Sequence, residues 1–311
     1  MEKRYDIIII GSGPAGMTAG IYGQRAGMKC LTLEKMAVGG QVASTPHIEN
    51  YPGYPAISGV ELSEKMFEQD KLLGMNFEFE EAQKIETQGK IKKVKAGNVT
   101  YTAPAIILSM GASSRSLGVE GDKNYIGRGV SYCATCDGAF FRNKVVAVVG
   151  GGNTALEDIE YLFSLVKKII HIHRRSEFRA DGVNIQSYNN LVKEKDSKIE
   201  SYLGYVVEKL NGENRLESIE IKNIETNEKQ TLKLDGLFVA IGRVPQTEIL
   251  DKELKLDENG YIVVNEKMET SIEGVFACGD ITHKMLRQIS TATGDGAIAG
   301  TSASIYVKKQ K

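Results

Sequence analysis

The sequence predicts an α/β protein made of two Rossmann-like, three-layer domains, the second inserted within the first. Three observations carry that prediction. A glycine-rich turn, Gly11-Ser12-Gly13-Pro14-Ala15-Gly16, sits between the apolar run Tyr5 to Ile10 and a helix-forming stretch, Met17 to Ala26. The same grammar recurs at Gly150-Gly151-Gly152-Asn153-Thr154-Ala155, behind the apolar run Val145 to Val149. Finally, the strand-like run Gly236 to Gly242 gives way to Arg243-Val244-Pro245, after which another buried-strand signature appears at Gly274 to Asp280. The expected division is 1–115 and 245–311 for the outer domain and 116–244 for the inserted one.

In chain order, Tyr5 to Ile10 is of strand length and Met17 to Ala26 reads as a helix closed by Gly27. The next strand, Lys29 to Leu33, ends on Glu34. This is a complete βαβ unit for a dinucleotide. Its glycines permit the tight turn, the close approach of backbone to pyrophosphate and the packing of helix on strand, and the acid about 20 residues on suits a free ribose hydroxyl. The segment from Gly39-Gly40-Gln41 to Glu49-Asn50-Tyr51-Pro52-Gly53 concentrates turn formers and predicts an irregular loop. Leu62 to Leu73 has helical spacing, Phe77 to Tyr101 reads as short strands, and Ala105 to Gly111 is a further buried strand ending in glycine.

The second unit repeats the first, with Ala155 in the place of the third glycine. Its helix reaches Leu165 and its second strand, Lys168 to His173, ends differently, in His173-Arg174-Arg175-Ser176-Glu177-Phe178-Arg179. Guanidiniums there suit a 2′-phosphate and leave no place for a ribose-binding acid, so the nucleotide expected is NADPH. A helix and return strand follow over Asn184 to Tyr205, then a β-meander over Glu208 to Lys233 with turns at Asn211-Gly212 and Thr226-Asn227. Beyond the return crossing, Gly279-Asp280 ends a short strand, and a small-residue helix runs from about Thr291 to Tyr306. An aspartate at a strand end can accept hydrogen bonds from a polyol, and a helix N-terminus can stabilise negative charge on a reduced ring, which together suit a flavin.

Between the units lies Cys133-Ala134-Thr135-Cys136-Asp137. Two thiols at this spacing can share a small disulfide ring, and the pair motif lowers a cysteine pKa toward neutrality, so the pair can carry two electrons. Zinc ligation is the competing chemistry. It needs four ligands, and the remaining cysteines, Cys30 and Cys278, sit alone inside separate strand units.

Composition narrows the function further. The 311 residues are 41% hydrophobic and 25% charged, enough for two domains with their own cores. With 39 basic and 40 acidic side chains the net charge is −1, which offers no electrostatic case for nucleic acid or an anionic membrane. No apolar run reaches membrane-spanning length. The N-terminal residues lack the pattern of a signal peptide, and four cysteines, only two of them close, do not form a secreted disulfide framework; a cytoplasmic protein is expected.

Taken together, these elements resemble the bacterial-type, low-molecular-weight thioredoxin reductases of the pyridine nucleotide-disulfide oxidoreductase class. The likeness spans nearly the whole chain and rests on the two glycine-rich turns, Gly39-Gly40-Gln41, Glu49 to Gly53, the cysteine pair with Asp137 and Gly138, the arginine-rich strand end, and Gly279-Asp280 with Arg287-Gln288. The resemblance implies an FAD- and NADPH-dependent homodimer in which the Cys133–Cys136 disulfide is reduced and then exchanges with a disulfide of thioredoxin. Asp137 would manage the proton of the leaving thiolate. FAD would be held by Gly11 to Gly16, Glu34, Lys35, Gly39, Gly40, Gln41, Val42, Asn50, Gly111, Gly279, Asp280, Arg287, Gln288 and Ile289. NADP would be held by Gly150, Gly152, Asn153, Thr154, Ala155, His173, Arg174, Arg175 and Arg179. Rotation of one domain against the other, hinged near Ser116 and Val244, would alternate the pair between flavin and protein substrate. The chain departs from the family at Ser109-Met110-Gly111, where many relatives carry Ala-Thr-Gly, and at Cys278, where a small residue is usual; Cys30 and Cys278 are expected to be packing residues.

Overall fold

Residues 7–10 are four consecutive isoleucines, and such a run is stable as a strand only if both of its faces are covered. A computed structural model shows both coverings. It describes residues 2–45, 48–250 and 253–310 (the side chains of residues 44, 123 and 136 excepted) and divides the chain into two compact units, Met1–Ser113 with Val244–Lys311, and Ser114–Arg243.

In the first unit the strand Ile7–Ile10 is central to a five-stranded parallel sheet ordered Val275–Ala277, Ala105–Leu108, Ile7–Ile10, Cys30–Leu33 and Asn76–Glu78. Side chains alternate across it with period two. Ile7, Ile9, Cys30, Ile107 and Phe276 pack with Ala15 and Ala19 of the helix Pro14–Arg25 and with Ala299 and Ala303 of the helix Ile289–Gln310. Ile8, Ile10, Leu31, Leu33, Ile106 and Leu108 pack instead with Ile85, Val94 and Tyr101 of a four-stranded sheet, Glu2–Arg4, Val99–Ala103, Lys92–Ala96 and Ala82–Glu86. The two helices lie close because Gly296 and Gly300 face the backbone of Ala15 and Ala19, where a Cβ would collide with a carbonyl oxygen.

The second unit repeats this three-layer plan. Its parallel sheet runs Val130–Ser131, Gly236–Val239, Val145–Val149, Lys168–His173 and Ile199–Leu203. Val146, Val148, Ile169 and Phe238 face the helices Asn153–Phe163 and Gly182–Lys193 through Leu156, Ile159 and Tyr188. Ala147, Val149, Ile170, Ile172 and Leu237 face the antiparallel meander Tyr205–Asn211, Ser218–Asn223 and Lys229–Lys233 through Leu210, Ile219 and Ile221. Asn227 takes a left-handed φ of 61° in the last turn, a conformation asparagine tolerates.

Differences from the sequence reading have local causes. The helix expected over Leu62 to Leu73 spans Gly59–Leu72, because the Ser58 hydroxyl accepts the Glu61 N–H at 3.1 Å and caps it three residues earlier. The loop expected from Gly39 contains a 3₁₀ turn, Gly40–Ser44, entered through left-handed glycines at 39 and 40. The last helix runs Ile289–Gln310, longer at both ends than Thr291 to Tyr306; Lys308 and Lys309 in its final turn complement the helix dipole. Among the described residues, no helix is long and apolar enough to cross a membrane.

Candidate active site: two glycine-rich turns and a cysteine-bearing turn

The first glycine-rich turn joins the strand Ile7–Ile10 to the helix Pro14–Arg25. Gly11 has φ +99°, and a Cβ there would lie 2.6 Å from the carbonyl oxygen of Ser109. Gly16 packs so closely on Gly11 that a Cβ would meet its carbonyl. Gly13 is different. Its φ of −71° and ψ of 177° are open to any residue, and apart from its two chain neighbours nothing among the described residues lies within 4 Å of where a Cβ would stand. The chain therefore leaves room beside Gly13 at a helix N-terminus with no side-chain cap, the form of a phosphate cradle. Pro14 and Ala15 are the next buried residues of that helix.

Neighbouring groups shape this cradle. Glu34 Oε2 accepts the Ser12 N–H and hydroxyl, both at 2.9 Å, and Oε1 accepts the Met36 N–H at 3.0 Å. Lys35 beside it is exposed and Val42 half-buried. Gly39 N–H donates to Ser12 O at 2.8 Å, and a Cβ on Gly40 would be 3.4 Å from Gly13 Cα, so the Gly39-Gly40 turn lies against the first. Gln41 donates to the carbonyl of Ala112, next to Gly111, which has φ +72°. Ser109, the departure noted above, places its hydroxyl 2.8 Å from Ile10 O and 2.9 Å from Gly11 O, so it braces the turn from below.

The C-terminal segment returns to the same unit. Asn50 Nδ2 donates to Gln288 Oε1 at 3.0 Å across 238 residues of sequence. Arg287 lies 3.9 Å over the ring of Tyr261 and donates to the carbonyls of Asp280 and Thr282 at 3.4 and 3.3 Å. Gly279 has φ +76°, a Cβ on it would be 2.8 Å from Ala15 Cβ, and its N–H donates to Asp295 Oδ2 at 3.0 Å, a carboxylate also paired with Lys284. Half-buried Asp280 follows in the turn Gly279–Ile281, and Ile289 opens the last helix against Met17 and Leu62.

The second glycine-rich turn reproduces these features. Gly150 has φ +149° and faces the carbonyl of Ala240, where a Cβ would collide. Gly152, at φ −103° and ψ −179°, again has nothing among the described residues, its chain neighbours apart, within 4 Å of a Cβ, and none of their side chains caps the helix Asn153–Phe163 that it precedes. Ala155 is buried beneath, Thr154 is exposed, and Asn153 Oδ1 accepts the Asp181 N–H at 2.8 Å. Arg174, Arg175 and Arg179 are exposed at the sheet end beside this cradle, and the Arg179 N–H donates to Gly151 O at 2.7 Å. Nε2 of His173 lies 3.1 Å from Glu177 O, and burial holds this imidazole below its usual pKa.

Cys133 is disulfide-bonded and half-buried, at the entry to the short helical turn Ala134–Asp137 that also carries Cys136. A cysteine in a disulfide has no thiolate to offer a metal. The Thr135 hydroxyl lies 3.4 Å from Cys133 Sγ, which has no proton of its own to give, so the hydroxyl donates. Ser131, buried in the strand before the pair, accepts the Cys133 N–H at 3.1 Å and donates to Asp137 Oδ2 at 2.6 Å. It joins the first cysteine to the neighbouring acid. Half-buried Asp158 accepts the Ala134 N–H, and burial pushes its carboxyl up to about 7. Cys30 and Cys278 carry free thiols and are fully buried among apolar side chains, as packing residues are; burial pushes the Cys30 thiol up to about 12 and that of Cys278 up as well.

The parts played by four of these groups escaped the sequence reading, although Ser109 itself stood out there as a departure from the family. Ser131 was within reach of that reading, two residues ahead of Cys133. Ser109, Asp158 and Asp295 carry no local signal for these contacts, since their partners lie at least 11 residues away.

Residues 5–296 match the pyridine nucleotide-disulphide oxidoreductase family. Thioredoxin reductase of Bacillus subtilis strain 168 is 42% identical over 310 residues, covering 99% of this chain and 96% of that one. Among solved structures, Lactococcus lactis thioredoxin reductase in its FR conformation is 40% identical with a TM-score of 0.77, covering 98% of this chain and 99% of the other. The thioredoxin reductase of Streptococcus pyogenes MGAS5005 is likewise 40% identical, with a TM-score of 0.79 and the same coverage.

Proposed function

Because the chain belongs to the pyridine nucleotide-disulphide oxidoreductase family, it is an oxidoreductase, and we propose that it is an NADPH-dependent thioredoxin reductase working through FAD and the pair Cys133 and Cys136. The observation that carries this reading is the disulfide-bonded Cys133 in the same compact unit as the second glycine-rich cradle, while Cys30 and Cys278 are buried thiols. Residues 1–115 and 245–311 form the FAD domain and 116–244 the NADPH domain.

Two cradles fit two dinucleotides. Gly13 and Gly152 leave open space at uncapped helix N-termini, so backbone N–H groups are free to meet a pyrophosphate. Glu34 stands at the ribose end of the first cradle. Arg174, Arg175 and Arg179 stand at that of the second, where a 2′-phosphate accepts bidentate guanidinium bonds. Asn50, Gln288 and Arg287, together with Gly279 and Asp280, complete the flavin side. When bound, the flavin supplies hydride chemistry between nicotinamide and the disulfide.

The chain's own residues then handle sulfur and protons. Reduction of the pair gives two thiols. One attacks the thioredoxin disulfide as a thiolate, forming a mixed disulfide that the second thiol resolves, which leaves thioredoxin as the dithiol and restores the Cys133–Cys136 bond. Asp137, held by Ser131, is the acid placed to protonate a leaving thiolate. A reducing cytoplasm is consistent with the free thiols of Cys30 and Cys278, and a homodimer follows the family.

The test is steady-state oxidation of NADPH by the purified yellow protein, with and without an added thioredoxin. Turnover should require thioredoxin and vanish in Cys133→Ser and in Cys136→Ser, each of which should keep its flavin. Undiminished turnover in either variant, or oxidation of NADPH indifferent to thioredoxin, would overturn the assignment.

A further inference from the structure

We propose that a buried cluster centred on His171, with Phe178 and Tyr188, positions the arginine-bearing loop against the second glycine-rich turn and thereby determines the enzyme's preference for NADPH over NADH. The proposal rests on the functional reading above and concerns residues outside the expected nucleotide contacts.

His171 lies in the middle of the strand Lys168–His173 and is fully buried. Its Nε2 is 2.8 Å from the carbonyl oxygen of Gly150, the first glycine of the turn, and its Nδ1 is 2.8 Å from the hydroxyl of Tyr188. A carbonyl can only accept, so Nε2 carries the proton. Burial lowers the imidazole pKa to about 4, which keeps the ring neutral near pH 7 and leaves Nδ1 as an acceptor. Tyr188 must therefore donate to Nδ1, and its oxygen accepts from Ser201 Oγ at 2.6 Å. The whole chain of bonds has one direction, from Ser201 through Tyr188 and His171 to Gly150.

The same imidazole holds the loop. Phe178 stacks on His171 with ring centroids 5.4 Å apart and planes 21° from parallel, and meets Tyr188 edge-on at 5.1 Å. It also lies 5.8 Å from the ring of His173, whose Nε2 is 3.1 Å from Glu177 O. Arg179 follows Phe178 directly, and its N–H donates to Gly151 O at 2.7 Å. Arg174, Arg175 and Arg179 are exposed, so the backbone that bears them is fixed from beneath, through Phe178 and the two histidines. Long cationic side chains bind a phosphate well only when the ordering cost has been met beforehand. The buried cluster meets it for the backbone. NADH, lacking the 2′-phosphate, draws little on that arrangement.

Tyr188→Phe removes one oxygen atom and leaves His171 Nδ1 without its donor. The KM for NADPH should rise about fivefold, the effect of one lost hydrogen bond, with kcat and the KM for NADH unchanged. His171→Leu should raise it further, and His171→Gln, whose amide can again donate to Gly150 O, should recover most of the loss. Arg174→Ala serves as the control for the direct phosphate contact. If Tyr188→Phe and His171→Leu melted at lower temperature yet kept the wild-type ratio of KM values for NADPH and NADH, the cluster would be packing alone and the inference would fail by itself. A wild-type protein with no preference for NADPH would remove the nucleotide assignment and this inference together.

Discussion

The sharpest test of the two cradles is to add one methyl group where the chain has left space for it. Gly152→Ala places a Cβ at φ −103° and ψ −179°, angles any residue adopts, with no atom of the described residues beyond its chain neighbours within 4 Å. Its folding cost is small. Alanine is a poorer N-cap than glycine by about 0.5–1 kcal/mol, while the loss of glycine's freedom in the unfolded chain returns about 0.4–1 kcal/mol. The two nearly cancel, and the melting temperature should stay within about 2 °C of wild type. Binding is another matter, because that space is what a pyrophosphate needs to approach the backbone. The KM for NADPH should rise at least about tenfold, equivalent to about 1.4 kcal/mol. Gly150→Ala is the opposite control: at φ +149° its Cβ would meet the Ala240 carbonyl, so the fold itself should be lost or severely weakened. Gly13→Ala is the counterpart in the first unit and should lose flavin without losing stability in the absence of flavin. Normal KM values in Gly152→Ala, or a fall in melting temperature matching that of Gly150→Ala, would refute the argument that the open space serves the ligand.

Two further outcomes follow from groups beyond the cradles. Asp70 is fully buried, both carboxylate oxygens lack a hydrogen-bond partner among the described residues, and burial pushes its pKa up to about 8; it sits beside Gly20 and Met75, with the neutral thiol of Cys30 as its titratable neighbour. The unfolded chain releases this proton near pH 4 and the folded chain keeps it to about pH 8, so stability falls as pH rises through that window, by about 4 kcal/mol at pH 7. Asp70→Asn should remove this slope from melting curves taken between pH 5 and 8.5; an unchanged slope would show that the carboxyl is paired and ionised. Ser131→Ala breaks the 2.6 Å bond to Asp137 and leaves the Cys133 N–H without its acceptor. Thioredoxin-dependent kcat should drop about tenfold with the KM for NADPH unchanged, Ser131→Thr should restore it, and equal kcat in Ser131→Ala would dismiss the serine's role.

The parts of this molecule legible in the sequence are those whose causes are local. A glycine-rich turn between an apolar run and a helical stretch needs no distant partner to be recognised, because turn geometry and periodicity act over a few residues. Both βαβ units, the meander with its turn at Asn227 and the arginine-rich strand end were readable on that basis. The cap at Ser58 was equally local and was passed over.

Which face of each strand meets which layer, and which side chains brace the turns, was decided only by the tertiary structure. The unbroken apolar run Ile7–Ile10 shows that both faces are buried but not that Ile8 and Ile10 meet a sheet while Ile7 and Ile9 meet helices. Ser109 under Gly11, Asn50 against Gln288, and Tyr188 against His171 are pairs 98, 238 and 17 residues apart. Their hydrogen bonds exist because folding excludes water and leaves each polar atom only the partner that packing brings within reach. The type of chemistry was written in neighbouring residues; the groups that hold it in place are neighbours only in space.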